Sequence, residues 1–454
     1  MNILILGCGR VGRETARALV RNNCNVTVVD RNQERLLDLQ ASHDLRTVNG
    51  NAADPAVLRR ADGENADIVI AVTSIDEVNL VACRLCSLLF NTPKKIARVR
   101  SSALNNDDIA SKDGFDISRI FCPEQIVADT ICNTIKHPGC LSVHKFSDGQ
   151  AVLAVIRVSS DGDMAGETIS SIRAQMPEAD FRAVSVYRDN GMLIPNGSTR
   201  LFVGDEVSVM VAEDDLDSLL PMLAGDGGNS RVIIAGGGDI GARVASEVEK
   251  SSNVKVIELS QERCQHLSEQ LSNSLVLNGS ASDESLLRQE NIEDTDIYCA
   301  LTNDDEENIL SSMLAKRLGA NKAMALVNRP AYVDILVRLL DTVVSPSELS
   351  IGAIIAHIRL GDVGVVHSLH HGAAEALELV IHGDKTTSPV VGREISDIDW
   401  PEKVIAGAII RGERIIVAHD HTVLQSEDRI IVFAAGDKAV RQVQKLLQVR
   451  VSFF

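Results

Sequence analysis

Aromatic side chains are scarce in this sequence: one tryptophan, three tyrosines and nine phenylalanines in 454 residues. Reading unpaired bases by stacking needs aromatic faces, so a base-stacking platform is disfavoured. Positive charge is also short, with 45 Lys and Arg against 63 Asp and Glu and a net charge of −18. That balance repels a nucleic-acid backbone or an anionic lipid surface and suits a basic protein surface instead. No run reaches the roughly 18 to 20 apolar residues of a spanning helix. The N-terminus lacks a basic region followed by an apolar stretch and a cleavage site, and the expected location is the cytoplasm. The nine cysteines are scattered and expected to be reduced. Cys83 and Cys86 form a C-x-x-C with no second pair, inside a helical pattern, which does not favour a metal or redox centre.

What is present is organised around the opening stretch. Asn2 to Leu6 is an apolar run, Gly7-Cys8-Gly9-Arg10-Val11-Gly12 breaks it, Arg13 to Val20 has helical spacing, and Val26 to Val29 is a second apolar run ending on Asp30. The pattern predicts strand, glycine turn, helix, strand. Three glycines have three tasks here: a tight turn at Gly7, backbone approach to a pyrophosphate at Gly9, and close helix packing at Gly12. Amide groups at the helix start point at the phosphate. Asp30 stands where a carboxylate can accept both hydroxyls of an adenosine ribose, which disfavours the 2′-phosphate of NADP.

The stretch recurs. Arg231 to Ala235, Gly236-Gly237-Gly238-Asp239-Ile240-Gly241, and Val254 to Ile257 ending on Glu258 repeat it at an offset of 236 − 7 = 229 residues. Gln33-Glu34-Arg35 is answered by Gln261-Glu262-Arg263, and Asn49-Gly50 with Asp54 by Asn278-Gly279 with Asp283. Thr73-Ser74-Ile75-Asp76-Glu77-Val78-Asn79 is answered by Thr302-Asn303-Asp304-Asp305-Glu306-Glu307-Asn308. A fixed offset held this long means a duplicated domain.

Apolar strand runs alternate with amphipathic segments through both nucleotide stretches, which predicts doubly wound, Rossmann-like parallel sheets in an α/β fold. Ligands of such sheets sit beyond the carboxyl ends of the strands. Asp30, Asn51, Thr73, Ser74 and Arg98 all lie at such ends in the first copy, as do Glu258, Ser280, Thr302 and Asn303 in the second. Each has a second reading: Asn51 as a turn residue, Thr73 and Ser74 as helix caps, Arg98 as the partner of a nearby carboxylate. The copies differ in charge. Arg10 is answered by Asp239 and Arg98 by Leu326, so the first site is expected to hold a charged dinucleotide more tightly, with like-charge repulsion at the second.

The expected order is a nucleotide unit (1–122), a crossover helix (123–140), a small α+β domain (141–225) and a linker (226–230). A second nucleotide unit (231–350), crossover helix (351–365) and small domain (366–454) then complete the chain's plan. Neither small domain shows a nucleophile beside a base. His367, His370 and His371 lack a carboxylate or cysteine at ligand spacing, so no metal is assigned.

This order, with Ala71-Val72-Thr73-Ser74-Ile75-Asp76-Glu77-Val78-Asn79, Ile96-Ala97-Arg98-Val99-Arg100 and Met313-Leu314-Ala315-Lys316-Arg317-Leu318-Gly319-Ala320, resembles the tandem RCK-type (KTN) subunits of bacterial potassium uptake over essentially the whole chain. The resemblance implies RCK-N units followed by RCK-C domains, and a regulator rather than an enzyme. It implies NAD(H) or ATP/ADP in the glycine turns, and a homodimer or homotetramer ring on the inner face of the cell membrane. The implied partner is a Trk-type potassium-translocating membrane subunit, gated by ligand occupancy; acidity suits its basic cytoplasmic loops. Two alternatives stay open: an NAD-dependent oxidoreductase, which would need a proton donor near the nicotinamide, and an RCK-type regulator of another cation channel or antiporter.

Overall fold

A computed structural model describes residues 1–21, 24–137, 139–146, 149–160, 162, 165–177, 179–188, 191–224, 231–336, 339–358, 363–369 and 374–449. The expected linker 226–230, Pro138, His370 and His371 lie outside them. The chain divides into two compact units, Met1–Ile126 with Pro346–Arg359, and Val127–Ser345 with Leu360–Phe454.

The first nucleotide sheet is built from β1 (Asn2–Leu6), β2 (Asn25–Asp30), β3 (Arg46–Asn49), β4 (Ile68–Ala71), β5 (Lys94–Arg98) and β6 (Arg119–Phe121). All its pairings are parallel and the strand order is β3-β2-β1-β4-β5-β6, the dinucleotide-binding order with its reversal beside β1. The intervening helices are α1 (Arg10–Arg21), α2 (Gln33–Ser42), α3 (Pro55–Arg60), α4 (Asp76–Phe90) and the short α5 (Asp107–Ala110). Both faces of the sheet are covered, which is why its strands read as unbroken apolar runs. Ile3 and Ile5 pack with Ala16 and Leu19 of α1 and Leu36 and Leu39 of α2. Leu4 and Leu6 pack with Val57 of α3 and Leu80 and Cys83 of α4. Each such buried aliphatic side chain contributes roughly 1.5 to 3 kcal/mol. Asn32 and Asp54 cap α2 and α3, accepting from Arg35 N at 3.1 Å and Ala56 N at 2.8 Å.

After α6 (Pro123–Lys136) comes an antiparallel domain of β7 (Cys140–Phe146), β8 (Ala151–Arg157), α7 (Ile169–Gln175), β9 (Phe181–Arg188), β10 (Gly191–Leu193), β11 (Glu206–Ala212) and α8 (Glu213–Ala224). The second nucleotide sheet repeats the first with β12 (Arg231–Ala235), α9 (Asp239–Val248), β13 (Asn253–Glu258), α10 (Gln261–Gln270), β14 (Leu275–Asn278), α11 (Glu284–Gln289), β15 (Ile297–Ala300), α12 (Asp305–Arg317), β16 (Lys322–Leu326), α13 (Pro330–Leu336) and β17 (Thr342–Val344). Its order, β14-β13-β12-β15-β16-β17, is that of the first sheet. Then come α14 (Pro346–Ile358) and a second antiparallel domain of β18 (Val363–Leu369), β19 (Ala374–Val380), β20 (Val404–Arg411), β21 (Arg414–Val417), β22 (Arg429–Ala434) and α15 (Asp437–Leu447).

Several expected boundaries move. The first crossover helix stops at Lys136 rather than 140, because Cys140 already begins β7. The second starts at Pro346 rather than 351, with proline in the first helical turn where its missing N–H costs nothing, and ends before 365 because Val363 begins β18. The helix α14 also packs against α1, not on the sheet that precedes it: Ile354 and Ile358 share a core with Ala16 and Leu19, and Lys94 Nζ donates to His357 O at 2.6 Å. Conversely, Lys136 of α6 pairs with Glu247 of α9 at 2.9 Å. The crossover helices are thus exchanged between the nucleotide units.

The two antiparallel sheets share one core, in which Phe146, Leu153, Val184 and Met210 meet Ala376, Ile405, Ile410 and Phe433. A Cβ on Gly407 would stand 3.2 Å from the Met210 side chain, so the sheets touch closely there. Each sheet repeats one ion pair on a buried carboxylate, a half-buried Arg188 bidentate on Asp205 (2.7 and 2.6 Å) and a half-buried Arg411 bidentate on Asp428 (2.8 and 2.8 Å).

Candidate functional site

The first glycine turn lies at the carboxyl end of β1. Gly7 has φ +116°, and a Cβ there would meet Thr73 N and the Val72 carbonyl at 2.9 Å, so the turn rests directly on the β4–α4 connection. Gly12 is closer still, with a Cβ falling 1.9 Å from Gly7 O. Gly9 is the opposite case, because nothing lies within 4 Å of its Cβ position. Its carbonyl accepts the first helical hydrogen bond, from Arg13 N at 3.0 Å. The first-turn amides of an α-helix have no intrahelical acceptor, and at α1 they line the open space. The second turn has the same geometry: Gly236 at φ +106°, Gly241 Cβ 1.9 Å from Gly236 O, and open space at Gly238. Both cradles therefore fit a pyrophosphate where a side chain would intrude.

The two acids are held alike. Asp30 accepts from Cys8 N at 2.5 Å and Asn32 N at 2.7 Å, and Glu258 from Gly237 N at 2.7 Å and Ser260 N at 2.8 Å. Each carboxylate thus locks the glycine loop to the end of the second strand. Asn49 and Asn278 brace that end, donating to Asp30 O at 3.2 Å and to Glu258 O at 3.0 Å. Cys8 is fully buried, and burial followed by the Asp30 charge raises its thiol pKa against the opposing pull of Arg13, Arg35 and Arg17. It is a packing residue of the loop, not a nucleophile.

Thr73 and Thr302 lie against the glycine turns, with Ser74 and Asn303 exposed beside them. Neither threonine is an N-cap. Thr73 Oγ1 donates to Asn79 Oδ1 at 2.7 Å and Thr302 Oγ1 to Asn308 Oδ1 at 2.7 Å. These two asparagines occupy matched positions of the repeat, and their part in the site emerges only from the fold. Fully buried, Asn79 also accepts from Thr73 N at 2.8 Å and donates to Arg98 O at 2.9 Å; Asn308 does the same toward Thr302 N and Leu326 O, each at 2.9 Å. They tie the ends of the fourth and fifth strands together under the turn. The signal that marks them in the sequence is their recurrence, at the repeat offset, in a polar helix start.

Three candidates engage other partners. Asn51 Oδ1 accepts from Ala53 N at 3.2 Å, a turn contact, and Ser280 Oγ accepts from Ser282 N at 3.2 Å. The Arg98 guanidinium goes to Glu124 at 3.0 Å and so anchors the start of α6, whereas its counterpart Leu326 is simply buried. At the second turn Arg263 donates to Gly237 O at 2.8 Å and stands 3.9 Å from Asp239. The expected repulsion from Asp239 is therefore partly offset by a cation already at the loop.

A hollow of about 270 Å³ lined by Arg231, Lys255, Glu290 and Asp294 lies at the amino ends of β12 and β13, the end opposite the turn. Its charges pair with each other, Lys255 with Glu290 at 2.9 Å and Arg231 with Asp294 at 3.3 Å. His367 is partly buried, and its ring Nε2 donates to Lys145 O at 2.9 Å. Among the described residues no three His, Cys, Asp or Glu side chains group to hold a metal.

Residues 3–118 and 232–346 match the TrkA-N domain, and residues 153–224 and 384–448 match the TrkA-C domain. The chain belongs to the TrkA family. Proteins named "Trk system potassium uptake protein TrkA" are similar over the full length: one from Halomonas elongata is 44% identical over 457 residues, covering 100% of both chains. Those of Vibrio alginolyticus and Haemophilus influenzae are 41% and 39% identical over 452 residues, covering 99% of both. These are names of a transport-system protein, which decides against the oxidoreductase alternative. Among solved structures, the GsuK RCK domain matches with a TM-score of 0.63 at 20% identity, covering 98% of this chain and 94% of that one. A GsuK channel described as bound to NAD matches at 0.64 and 20% identity, covering 98% and 78%. At that identity the likeness bears on fold, and it agrees with two Rossmann-like units each followed by an RCK-C-type domain.

Proposed function

We propose that this chain is a cytoplasmic, nucleotide-sensing regulatory subunit that binds NAD(H) or ATP/ADP in both glycine turns and gates a Trk-type potassium-translocating membrane subunit. The observation that carries the reading is the double cradle: open backbone at Gly9 and Gly238, each with a carboxylate locked at the ribose position. The contact residues are Gly7 to Gly12 with Asp30 and Thr73, and Gly236 to Gly241 with Glu258 and Thr302. Each nucleotide unit is succeeded in the chain by a small antiparallel domain, so ligand energy goes into arrangement and not into bond chemistry. Occupancy favours one arrangement of a homodimer or homotetramer ring over another, by no more than the ligand's difference in affinity for the two. The names of the full-length relatives support potassium uptake as the system served.

The test is reconstitution. Proteoliposomes holding the Trk-type membrane subunit are assayed for rubidium flux with and without this chain, and with NADH or ATP added. A flux that depends on the chain and shifts with nucleotide is expected. Flux indifferent to both would reject the proposal.

A further inference from the structure

The two cradles share a backbone but not a charge. At four matched positions around the opening, the first copy carries Arg10, Arg13, Ile75 and Val78, where the second carries Asp239, Ala242, Asp304 and Glu307. The formal sums at these four are +2 and −3; the adjacent matched pair, Glu14 against Arg243, runs the other way and brings them to +1 and −2. Arg10 and Arg13 occupy the first turn of α1, one turn apart on one face. The Cys8 thiol of the loop donates to Arg35 O at 3.5 Å, so the first turn of α2 lies against the glycine loop. On the second side, Asp304 caps α12 by accepting from Glu307 N at 2.8 Å. Glu307 accepts from Ser282 Oγ at 2.8 Å and lies 3.5 Å from Ser280 Oγ, at the end of β14. The cation common to both sites, Arg35 or Arg263, leaves the difference intact, and at the second site it is close to Asp239.

Taking the proposed nucleotide binding as given, we infer that the sites sort ligands by phosphate charge: the first takes a nucleoside triphosphate in preference to a dinucleotide, and the second reverses that order. The adenosine half is recognised identically by Asp30 and Glu258, so it cannot discriminate. What differs is the field met by the phosphates, and a triphosphate carries about twice the negative charge of the NADH pyrophosphate. An effect that is roughly three-fold per pair of ligand charges at low salt becomes roughly ten-fold for the triphosphate.

The experiment uses the full chain with one cradle closed at a time. Because Gly9 and Gly238 have free space at Cβ, Gly9→Glu and Gly238→Glu fill a cradle without disturbing the fold. Calorimetric titration of each with ATP and NADH, at low and moderate salt, gives an affinity ratio for each site. The ATP to NADH ratio is expected to be at least about ten-fold higher in Gly238→Glu, where the first site remains, than in Gly9→Glu. Adding Arg13→Ala to Gly238→Glu is expected to weaken ATP about ten-fold and NADH about three-fold. Equal ratios at the two sites, or equal losses for both ligands on Arg13→Ala, would overturn the inference while leaving nucleotide sensing in place. Absence of binding by either ligand to the unmodified chain would reject nucleotide sensing and this inference together.

Discussion

Substituting Gly12 and Gly9 separately by alanine splits the fold from the ligand. At Gly12 the new methyl would lie 1.9 Å from Gly7 O, 3.1 Å from Gly7 C and 3.2 Å from Val72 Cγ2. To reach even 3.0 Å from that oxygen, α1 must lift by about 1.1 Å from the strand it packs on, since 3.0 − 1.9 = 1.1. Forced overpacking of this kind costs about 3 kcal/mol. At Gly9 the methyl meets nothing within 4 Å, so stability should change by less than about 0.5 kcal/mol. The same methyl occupies the volume assigned to phosphate, and affinity at the first site should fall at least about ten-fold, or 1.4 kcal/mol. Urea denaturation followed by far-UV circular dichroism measures the first quantity, and NADH titration of each folded variant the second. The reasoning fails if Gly9→Ala binds like the unmodified chain, or if Gly12→Ala is as stable as it.

Asn79→Ala removes a fully buried side chain and strands the part-buried amide of Thr73 and carbonyl of Arg98. At about 1 to 3 kcal/mol per orphaned group, a loss of about 2 to 5 kcal/mol is expected by denaturation, with Asn308→Ala similar. Burial pushes the Cys86 thiol up to about 12 and raises Cys83 as well, so thiol reagents at pH 8 should leave both unmodified until the chain is denatured. Lys250 and then Lys136 hold Glu247 down to about 2. A carboxylate depressed in the folded state stabilises above its unfolded pKa, and that share is lost as pH falls from the ordinary glutamate range toward 2. Glu247→Gln should therefore flatten this acid limb in a pH series of thermal unfolding and leave pH 7 to 8 unchanged in slope.

The features legible in the sequence are the ones whose physics is local. The tight turn at Gly7, the close packing at Gly12 and the open backbone at Gly9 each depend on a few neighbouring residues, and the parallel sheets follow from the alternation of elements. Features that need distant partners were not legible. Nothing in Ile354 or Ile358 indicates α1 as the surface they cover. Arg98 reads equally as a ligand contact or as the partner of some nearby carboxylate, and only the placement of α6 supplies Glu124 as that partner. Short edge strands such as β6 and β17 have three residues each, too few for a period to register. The seam of the antiparallel domains, where His419 meets Asp180 at 2.8 Å and Arg182 stands 3.6 Å from Asp420, joins residues more than two hundred positions apart.

The most direct test of the central claim is a count of nucleotide bound per chain. Equilibrium dialysis of radiolabelled ATP and NADH at saturating concentration should give two equivalents of nucleotide per chain, one in Gly9→Glu or Gly238→Glu, and none in the double variant. Binding that persists unchanged in the double variant would place the nucleotide elsewhere and contradict the account.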